Sequence, residues 1–179
     1  FGDGLVYFSN RKGYIAAYGS KEDLLEMKED FSRIGYSAGI YERKRKHRIK
    51  TKYGEKEFEA TCFELRCKSN SLAMLLVSLG MPLGKKTSAE FTVPEWIMES
   101  KKWIKRLFLS AFFGAELTSP KIMSKTGFYA PVISQNKLSE KEARGREFLV
   151  DIMRLLEELG VMTTKLSTDD YYENQQGKT

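Results

Sequence analysis

Two carboxylates stand at corresponding points of a sequence that reads as one unit written twice. Asp3 lies in the segment FGDG at the start of the chain, and Glu116 lies near the end of the apolar segment LSAFFGAEL. After each acid come two short extended segments broken by a Gly-aromatic turn, and then a charged amphipathic helix that ends in a branched apolar residue and glycine. The repeated position predicts one chemical role for both acids.

The role that suits two such acids is binding of a divalent metal ion. Cutting a phosphodiester requires a nucleophilic water, and a divalent ion lowers the pKa of that water while it neutralises charge on the phosphate. Mg²⁺ prefers a few carboxylates, with waters and phosphate oxygens completing its shell. We therefore predict that Asp3 and Glu116 are catalytic metal ligands, with Mg²⁺ or Mn²⁺ as the ion.

A single basic element accounts for the net charge of the chain. The whole sequence carries +6, and the segment ERKRKHRIKTK at 42–52 alone has seven Lys or Arg and one Glu. One concentrated basic element on an otherwise neutral body indicates a polyanionic partner, here a nucleic acid. Strand alternation divides the predicted contacts between two faces, with Arg43, Arg45 and His47 on one and Lys44, Lys46, Arg48, Lys50 and Lys52 on the other.

Further nucleic-acid contacts are predicted in two hairpins. The alternative for the basic run itself is that it forms only a solvated hairpin arm. His47 is not expected to act as a catalytic base, because no partner acid or nucleophile is indicated near it. The candidates in the hairpins are Tyr7, Asn10, Arg11, Lys12 and Tyr14 in the first, and Lys121, Lys125, Tyr129 and Gln135 in the second.

Hydrophobic periodicity and turn residues predict the elements that position these groups. In the first half, a hairpin is expected at 4–18 around a turn at 11–13, and a helix is expected from its cap Ser20 to Gly35. A long hairpin with arms 38–52 and 57–68 and a helix at 71–79 are expected to follow. A linker with Pro82, Gly84 and Pro94 follows. The second half is expected to contain a helical stretch at 95–115 broken near Ser100, a hairpin within 118–134, a helix at 139–159 capped by Ser139, and an extended segment at 161–167.

This element order predicts an α+β fold with antiparallel sheets and helices on one face. We place the boundary between the two halves at residues 93 and 94. The first residue is Phe and falls inside what reads as a helix end, so we expect the chain to be truncated at both ends.

The two cysteines are not expected to do chemistry. Cys62 and Cys67 are five residues apart in one predicted strand, so they point to opposite faces and can neither pair nor share a metal. With His47 as the one histidine of the chain, a Cys/His zinc site would lack ligands. The sequence therefore favours a reduced, cytoplasmic setting, and its apolar runs are too short to span a membrane.

The segments around both acids resemble a known family, the LAGLIDADG homing endonucleases of the two-motif kind, which are found free or inside inteins. Leu109 to Leu117 match its nine-residue motif position by position, and Phe1 to Gly4 match the last four positions of a first copy. The segment GKKTSAEFTVPEWI is similar to the linker that leads into the second motif helix of the family.

The resemblance implies a fold, an activity and a partner. The fold would be two pseudo-symmetric αββαββα-type halves, acting as a monomeric pseudo-dimer. The activity would be metal-dependent, site-specific cleavage of double-stranded DNA, with the hairpins in the major groove. It also implies a catalytic lysine in the linker, for which Lys86 is the best match and Lys85 a near alternative.

An alternative function rests on departures from the motif. Ala111 replaces a glycine where the two motif helices would touch, and Leu117 replaces the final glycine behind Glu116. A non-cutting member of the family that binds DNA or RNA as a regulator or an intron maturase would also carry such changes. Protein splicing itself finds no support within these residues, which lack an initial Cys or Ser and a terminal His-Asn.

Overall fold

The structure is a computed structural model that describes residues 1–51, 54–125 and 127–168, without the side chains of residues 45, 47, 49–51, 56 and 124. The predicted contact Lys52 therefore lies outside the described residues. The chain divides into two compact units: the sheet unit, Asp3–Leu76, and the helical unit, which comprises Phe1–Gly2 and the chain from Val77 onward. No helix within the described ranges is long and apolar enough to cross a membrane.

The sheet unit is an antiparallel four-stranded sheet with helices on one face. Its strands stand in the order β1-β2-β4-β3, and every neighbouring pair is antiparallel. The helix α2 begins in this unit and ends just beyond it. In chain order the elements are β1 Gly4–Ser9, β2 Lys12–Gly19, α1 Lys21–Arg33, β3 Ala38–Thr51, β4 Gly54–Lys68 and α2 Asn70–Ser78.

Turn and cap residues explain where these elements begin and end. Asn10 and Arg11 both have positive φ, 49° and 62°, which is the conformation of a two-residue hairpin turn that matches strand twist. The Ser20 hydroxyl accepts a hydrogen bond of 3.1 Å from the Asp23 N–H and caps α1. The predicted turn at 11–13 is therefore displaced, because Asn10 and Arg11 form the turn and both Lys12 and Gly13 belong to β2.

Gly13 is needed for packing rather than for turning. A Cβ at this position would lie 2.7 Å from the Ala73 Cβ and 2.9 Å from the Ser69 carbonyl oxygen. Only glycine lets β2 and α2 approach so closely. The core of the sheet unit lies on this face and contains Val6, Ile15, Ala17, Leu24, Leu65, Cys67, Leu72 and Ala73, all of them buried.

The helical unit contains three helices and a short antiparallel pair. The helices are α3 Glu95–Met98, α4 Lys102–Glu116 and α5 Glu142–Glu158, and the pair is β5 Lys121–Ser124 with β6 Gly127–Tyr129. The predicted break near Ser100 is confirmed. The core of this unit consists of Phe91, Val93, Ile97, Leu109, Phe112, Phe148, Ile152 and Leu155.

Two predictions in the helical unit are corrected. Ser139 does not cap the last helix, because residues Ser139–Lys141 form a 3₁₀ turn and α5 begins at Glu142. The segment at 161–167 has no regular secondary structure. The α+β class with antiparallel sheets is confirmed, whereas the division at residues 93 and 94 stays a prediction.

Candidate functional site

The face of the sheet opposite to the helices carries tyrosines and basic residues. Strand register places their side chains together, since directly paired residues share a face: Tyr7 with Tyr14, Tyr14 with Lys68, and Tyr41 with Glu64. The rings of Tyr7 and Tyr14 stack with centroids 5.0 Å apart. We call this surface the outer face; it comprises Tyr7, Lys12, Tyr14, Tyr18, Tyr41, Arg43, Glu64, Arg66 and Lys68.

The hairpin turn beside the outer face is braced by one side chain. Asn70 accepts a hydrogen bond of 2.6 Å from the Gly13 N–H and donates one of 3.1 Å to the Arg11 carbonyl oxygen. The predicted contacts Asn10 and Arg11 form the tip of this turn and are exposed, as is Lys12. The turn thus presents polar groups to solvent from a fixed backbone.

The basic run of β3 has different surroundings on its two faces. On the register positions that continue the core side, Lys46, Arg48 and Lys50 pair with Glu59, Glu57 and Glu55 of β4, although the side chain of Lys50 lies outside the described part of the chain. In the alternate register positions Arg43, Arg45 and His47 pair with Cys62, Ala60 and Phe58. Of these predicted contacts Arg43 belongs to the outer face, and the side chains of Arg45 and His47 lie outside the described part of the chain. Cross-strand acids therefore neutralise much of one face, and the uncompensated positive charge belongs to the outer face.

One buried acid lies within the outer face. The side chain of Glu64 is 3% exposed, and its Oε1 accepts hydrogen bonds from Arg66 Nε at 3.0 Å and Nη2 at 2.7 Å. Arg43 Nη2 lies 2.8 Å from the other oxygen, an ion pair without hydrogen-bond alignment. The hydrogen bonds to Glu64 raise the pKa of Arg66.

Tyr41 supports this cluster from the neighbouring strand. The Arg66 guanidinium lies 5.4 Å from the centre of the Tyr41 ring, within the range of a cation–π contact. A Cβ on Gly39 would lie 3.0 to 3.1 Å from the atoms of that ring. The missing side chain of Gly39 therefore lets the Tyr41 ring lie against β3.

In the helical unit, Lys86 is surrounded by oxygen atoms. Its ammonium group contacts Glu116 Oε1 at 3.0 Å and the Phe1 carbonyl oxygen at 3.2 Å, and it also donates to the Gly2 carbonyl oxygen. The structure thus joins two predicted catalytic residues, Glu116 and Lys86. Lys85, the near alternative, is exposed. Its carbonyl oxygen accepts hydrogen bonds from the N–H and the hydroxyl of Ser88.

A second lysine holds the linker in place. Lys137 donates hydrogen bonds to the carbonyl oxygens of Lys86 at 2.7 Å and Ala89 at 2.9 Å, and its ammonium lies 3.8 Å from the centre of the Phe91 ring. Burial and the charge of Lys86 lower the pKa of Lys137. Gly145 makes room for this side chain, because a Cβ there would lie 2.7 Å from Lys137 Cγ.

The remaining predicted residues are scattered. Asp3 is exposed ahead of β1, and its carbonyl oxygen accepts a hydrogen bond from the Tyr18 N–H. Lys121 and Tyr129 are exposed register partners in β5 and β6, and Lys125 is exposed in their turn. Gln135 differs from these contacts, because its side-chain oxygen is buried.

Sequence reasoning missed Glu64, Arg66, Lys68, Tyr41 and Lys137. The signal for Glu64, Arg66 and Tyr41 was the pairing of β3 with β4, since Thr51 pairs with Gly54 and the other pairs follow from that register. Lys68 pairs instead with Tyr14 of β2. Lys137 had no such signal, because its partners are backbone groups about 50 residues away. Among the described residues no group of three or more His, Cys, Asp or Glu could hold a metal ion.

Comparison with known proteins finds relatives of this chain. It is 42% identical over 164 residues to a protein of Pyrococcus furiosus named tRNA-splicing ligase RtcB, and 38% identical over 164 residues to one of that name from Methanopyrus kandleri. Each alignment covers 91% of this chain, but the chain spans only 17% and 16% of those relatives. No family model and no solved structure matches the chain.

A differently named protein is also similar to most of this chain. A protein of Methanocaldococcus jannaschii named DNA-directed RNA polymerase subunit Rpo1N is 35% identical over 173 residues, which cover 89% of this chain and 12% of that protein. Nearly the same length of chain is therefore similar to a small part of two differently named proteins.

These relatives correct the resemblance drawn from the motif. Four of them, 35% to 42% identical, are named as tRNA-splicing ligases and not as LAGLIDADG homing endonucleases. The family, the cleavage of double-stranded DNA, the double-stranded DNA partner and the regulator or maturase alternative are therefore wrong as predictions. The physical reason is that the nine-residue match is a weak signal. An ordinary packed apolar helix that ends in one carboxylate, such as α4, also fits the motif. What the comparisons support is similarity to part of the tRNA-splicing ligases.

Proposed function

We propose that this chain is a nucleic-acid-binding module of a larger protein, and that its outer face contacts the sugar–phosphate backbone. The observation that carries the proposal is the unequal charge of the two hairpin faces. Acids of β4 pair in register with three cationic residues on one face, whereas Lys12, Arg43, Arg66 and Lys68 share the outer face with Glu64. Positive charge of this kind binds phosphates.

A structured RNA is the first ligand to test. Several relatives of this chain are named tRNA-splicing ligases, and a tRNA supplies both paired stems and unpaired loops. Contacts to the sugar–phosphate backbone position a nucleic acid without reading its sequence. They would therefore also suit a module that occurs in proteins with different names. Ligation is an activity of the whole relatives, of which this chain spans about a sixth.

The experiment is a fluorescence-anisotropy titration at several salt concentrations. A labelled tRNA, a DNA duplex of similar length and a polyglutamate chain serve as the three ligands. With four phosphate contacts, the slope of log K against log salt should be about −3 to −4 for nucleic acid. Absence of binding to either nucleic acid, or a flat salt response, would contradict the proposal, and equal binding to polyglutamate would reduce it to non-specific charge attraction.

A cation site near Glu116 remains a separate proposal. One carboxylate oxygen and two backbone carbonyls, those of Phe1 and Gly2, already surround the Lys86 ammonium. Oxygen ligands of this kind suit Mg²⁺ or Mn²⁺ in principle, but the ammonium would compete with the metal for Glu116. Catalytic roles for Lys86, Glu116 and Asp3, and metal binding by Asp3, stay predictions.

Calorimetric titration with Mn²⁺ tests the metal. We expect weak binding to the parent protein and tighter binding to Lys86→Met, since that change frees the oxygens. Glu116→Gln should abolish the Mn²⁺ signal. Binding that is unchanged in both variants would place any metal elsewhere.

A further inference from the structure

We propose that Arg43 and Arg66 form a binding site for one backbone phosphate, and that the buried Glu64 positions both guanidinium groups. The inference rests on the proposed function and gives it a specific location on the outer face. We call these three residues the arginine pair and its acid. In this role Glu64 is a positioning residue, although simple charge counting would make it an obstacle to an anionic ligand.

The carboxylate of Glu64 is buried within the outer face. An unpaired carboxylate with a side chain 3% exposed would be costly, so its position requires cationic partners. Tyr18 of β2 and Tyr41 of β3 are its register partners on either side, so tyrosines flank Glu64 on this face. The carboxylate is therefore fixed by its neighbours before any ligand arrives.

The two arginines contact different oxygens of the Glu64 carboxylate. Arg66 uses Nε and Nη2 on Glu64, and Tyr41 lies beneath its guanidinium. Arg43 Nη2 lies 2.8 Å from the other carboxylate oxygen and forms an ion pair with it. Each planar guanidinium carries five N–H donors, so both keep donors for a second partner.

Arg43 and Arg66 both remain partly exposed to solvent. The side chains of Arg43 and Arg66 are 43% and 31% exposed, respectively, although both contact a buried acid. Two guanidinium groups around one carboxylate leave a net charge of +1 at this point. A phosphate that accepts hydrogen bonds from both would meet cations whose rotamers are already restricted, and this reduces the entropy lost on binding.

The decisive variant is Glu64→Gln, for which two explanations predict opposite results. If Glu64 only repels the ligand, removal of its charge strengthens binding. If Glu64 positions the pair, the amide NH₂ of glutamine faces one guanidinium and releases it, so binding weakens by about tenfold. Glu59→Gln is the matched control, because it removes the same charge from the opposite face of the same strand.

A second variant keeps the test valid if Glu64→Gln does not fold, as judged by circular dichroism and thermal melting. Arg66→Lys preserves the charge but loses the planar fork and its stacking on Tyr41. We expect tRNA to bind about fivefold to tenfold more weakly to Arg66→Lys, with the salt slope unchanged. Arg66→Gln should also reduce the magnitude of the slope by about 0.7 to 0.9.

The outcomes separate the two proposals. Tighter binding by Glu64→Gln, or parental affinity in Arg66→Lys, would overturn the positioned phosphate site while salt-dependent binding by the parent protein still supported the proposed function. A parent protein that binds no nucleic acid would contradict the proposed function itself. Weaker binding in both variants, with Glu59→Gln at or above parental affinity, is the result we expect.

Discussion

Arg48 of β3 donates a hydrogen bond of 2.6 Å from Nε to Oε1 of Glu57, its partner across the hairpin. Arg48 also lies 3.8 Å from Glu55. One arginine of the basic run is thus matched by two acids of the neighbouring strand. The number of positive charges in the run therefore overstates how many of them can meet a polyanion.

A single substitution tests this neutralisation. Arg48→Gln should change the affinity for tRNA by less than about twofold, because the charge it removes is already paired across the strands. Arg43→Gln removes the same charge from the outer face and should weaken binding by about tenfold. Equal effects of the two variants in anisotropy titrations would show that the faces are equivalent.

The close contact between β2 and α2 gives a prediction about stability. Gly13→Ala places a methyl group 2.7 Å from the Ala73 Cβ, and we expect it to lower the free energy of unfolding by about 1–3 kcal/mol. Gly114→Ala is the control, since a Cβ at that site in α4 meets no described atom within 4 Å and alanine favours a helix by about 0.5–1 kcal/mol. Urea denaturation measures both, and a neutral Gly13→Ala would contradict the packing described here.

The aromatic core of the helical unit gives another prediction about stability. Phe148 is fully buried, and its ring lies 5.1 Å from that of Phe91 and 5.4 Å from that of Phe112, measured between centroids. Phe148→Ala should destabilise the unit by about 3–5 kcal/mol. Phe128 is 72% exposed, so Phe128→Ala should change the unfolding free energy by less than about 0.5 kcal/mol. Comparable losses in the two variants would contradict this core.

Lys137, the partly buried lysine that holds the linker, predicts a dependence of stability on pH. Because burial and the charge of Lys86 lower the pKa of Lys137, the folded protein binds fewer protons at this group than the unfolded chain. Its contribution to stability should therefore increase as pH rises from the lowered pKa toward the ordinary value of 10.5. Measured against Lys137→Met, the parent protein should gain stability over that window, and parallel curves would refute the assignment.

The sequence predicted well those features that depend on local chemistry. The cap Ser20, the break near Ser100 and the alternation along β3 all follow from a few neighbouring residues, and the structure confirms them. Cys62 and Cys67 are unpaired, and they lie on opposite faces of β4 as expected.

Features that depend on long-range pairing were not predicted. The surroundings of Glu64 are set by strands that meet it from both sides, and nothing in the segment FELRCK indicates that this acid is buried. Lys137 is held by carbonyl groups of the linker, which carry no side-chain signature. The family resemblance was misleading for a related reason, since it rested on short segments whose apolar pattern also describes an ordinary packed helix.

The most direct test of the central claim compares two triple variants with equal charge loss. One carries Lys12→Gln, Arg43→Gln and Lys68→Gln on the outer face, and the other carries Lys46→Gln, Arg48→Gln and Lys50→Gln on the face with the acids of β4. We predict that the salt slope for tRNA binding falls in magnitude by about 2–3 in the first variant and by less than about 1 in the second. Equal losses in both variants, or the greater loss in the second, would contradict the assignment of the outer face as the nucleic-acid-binding surface.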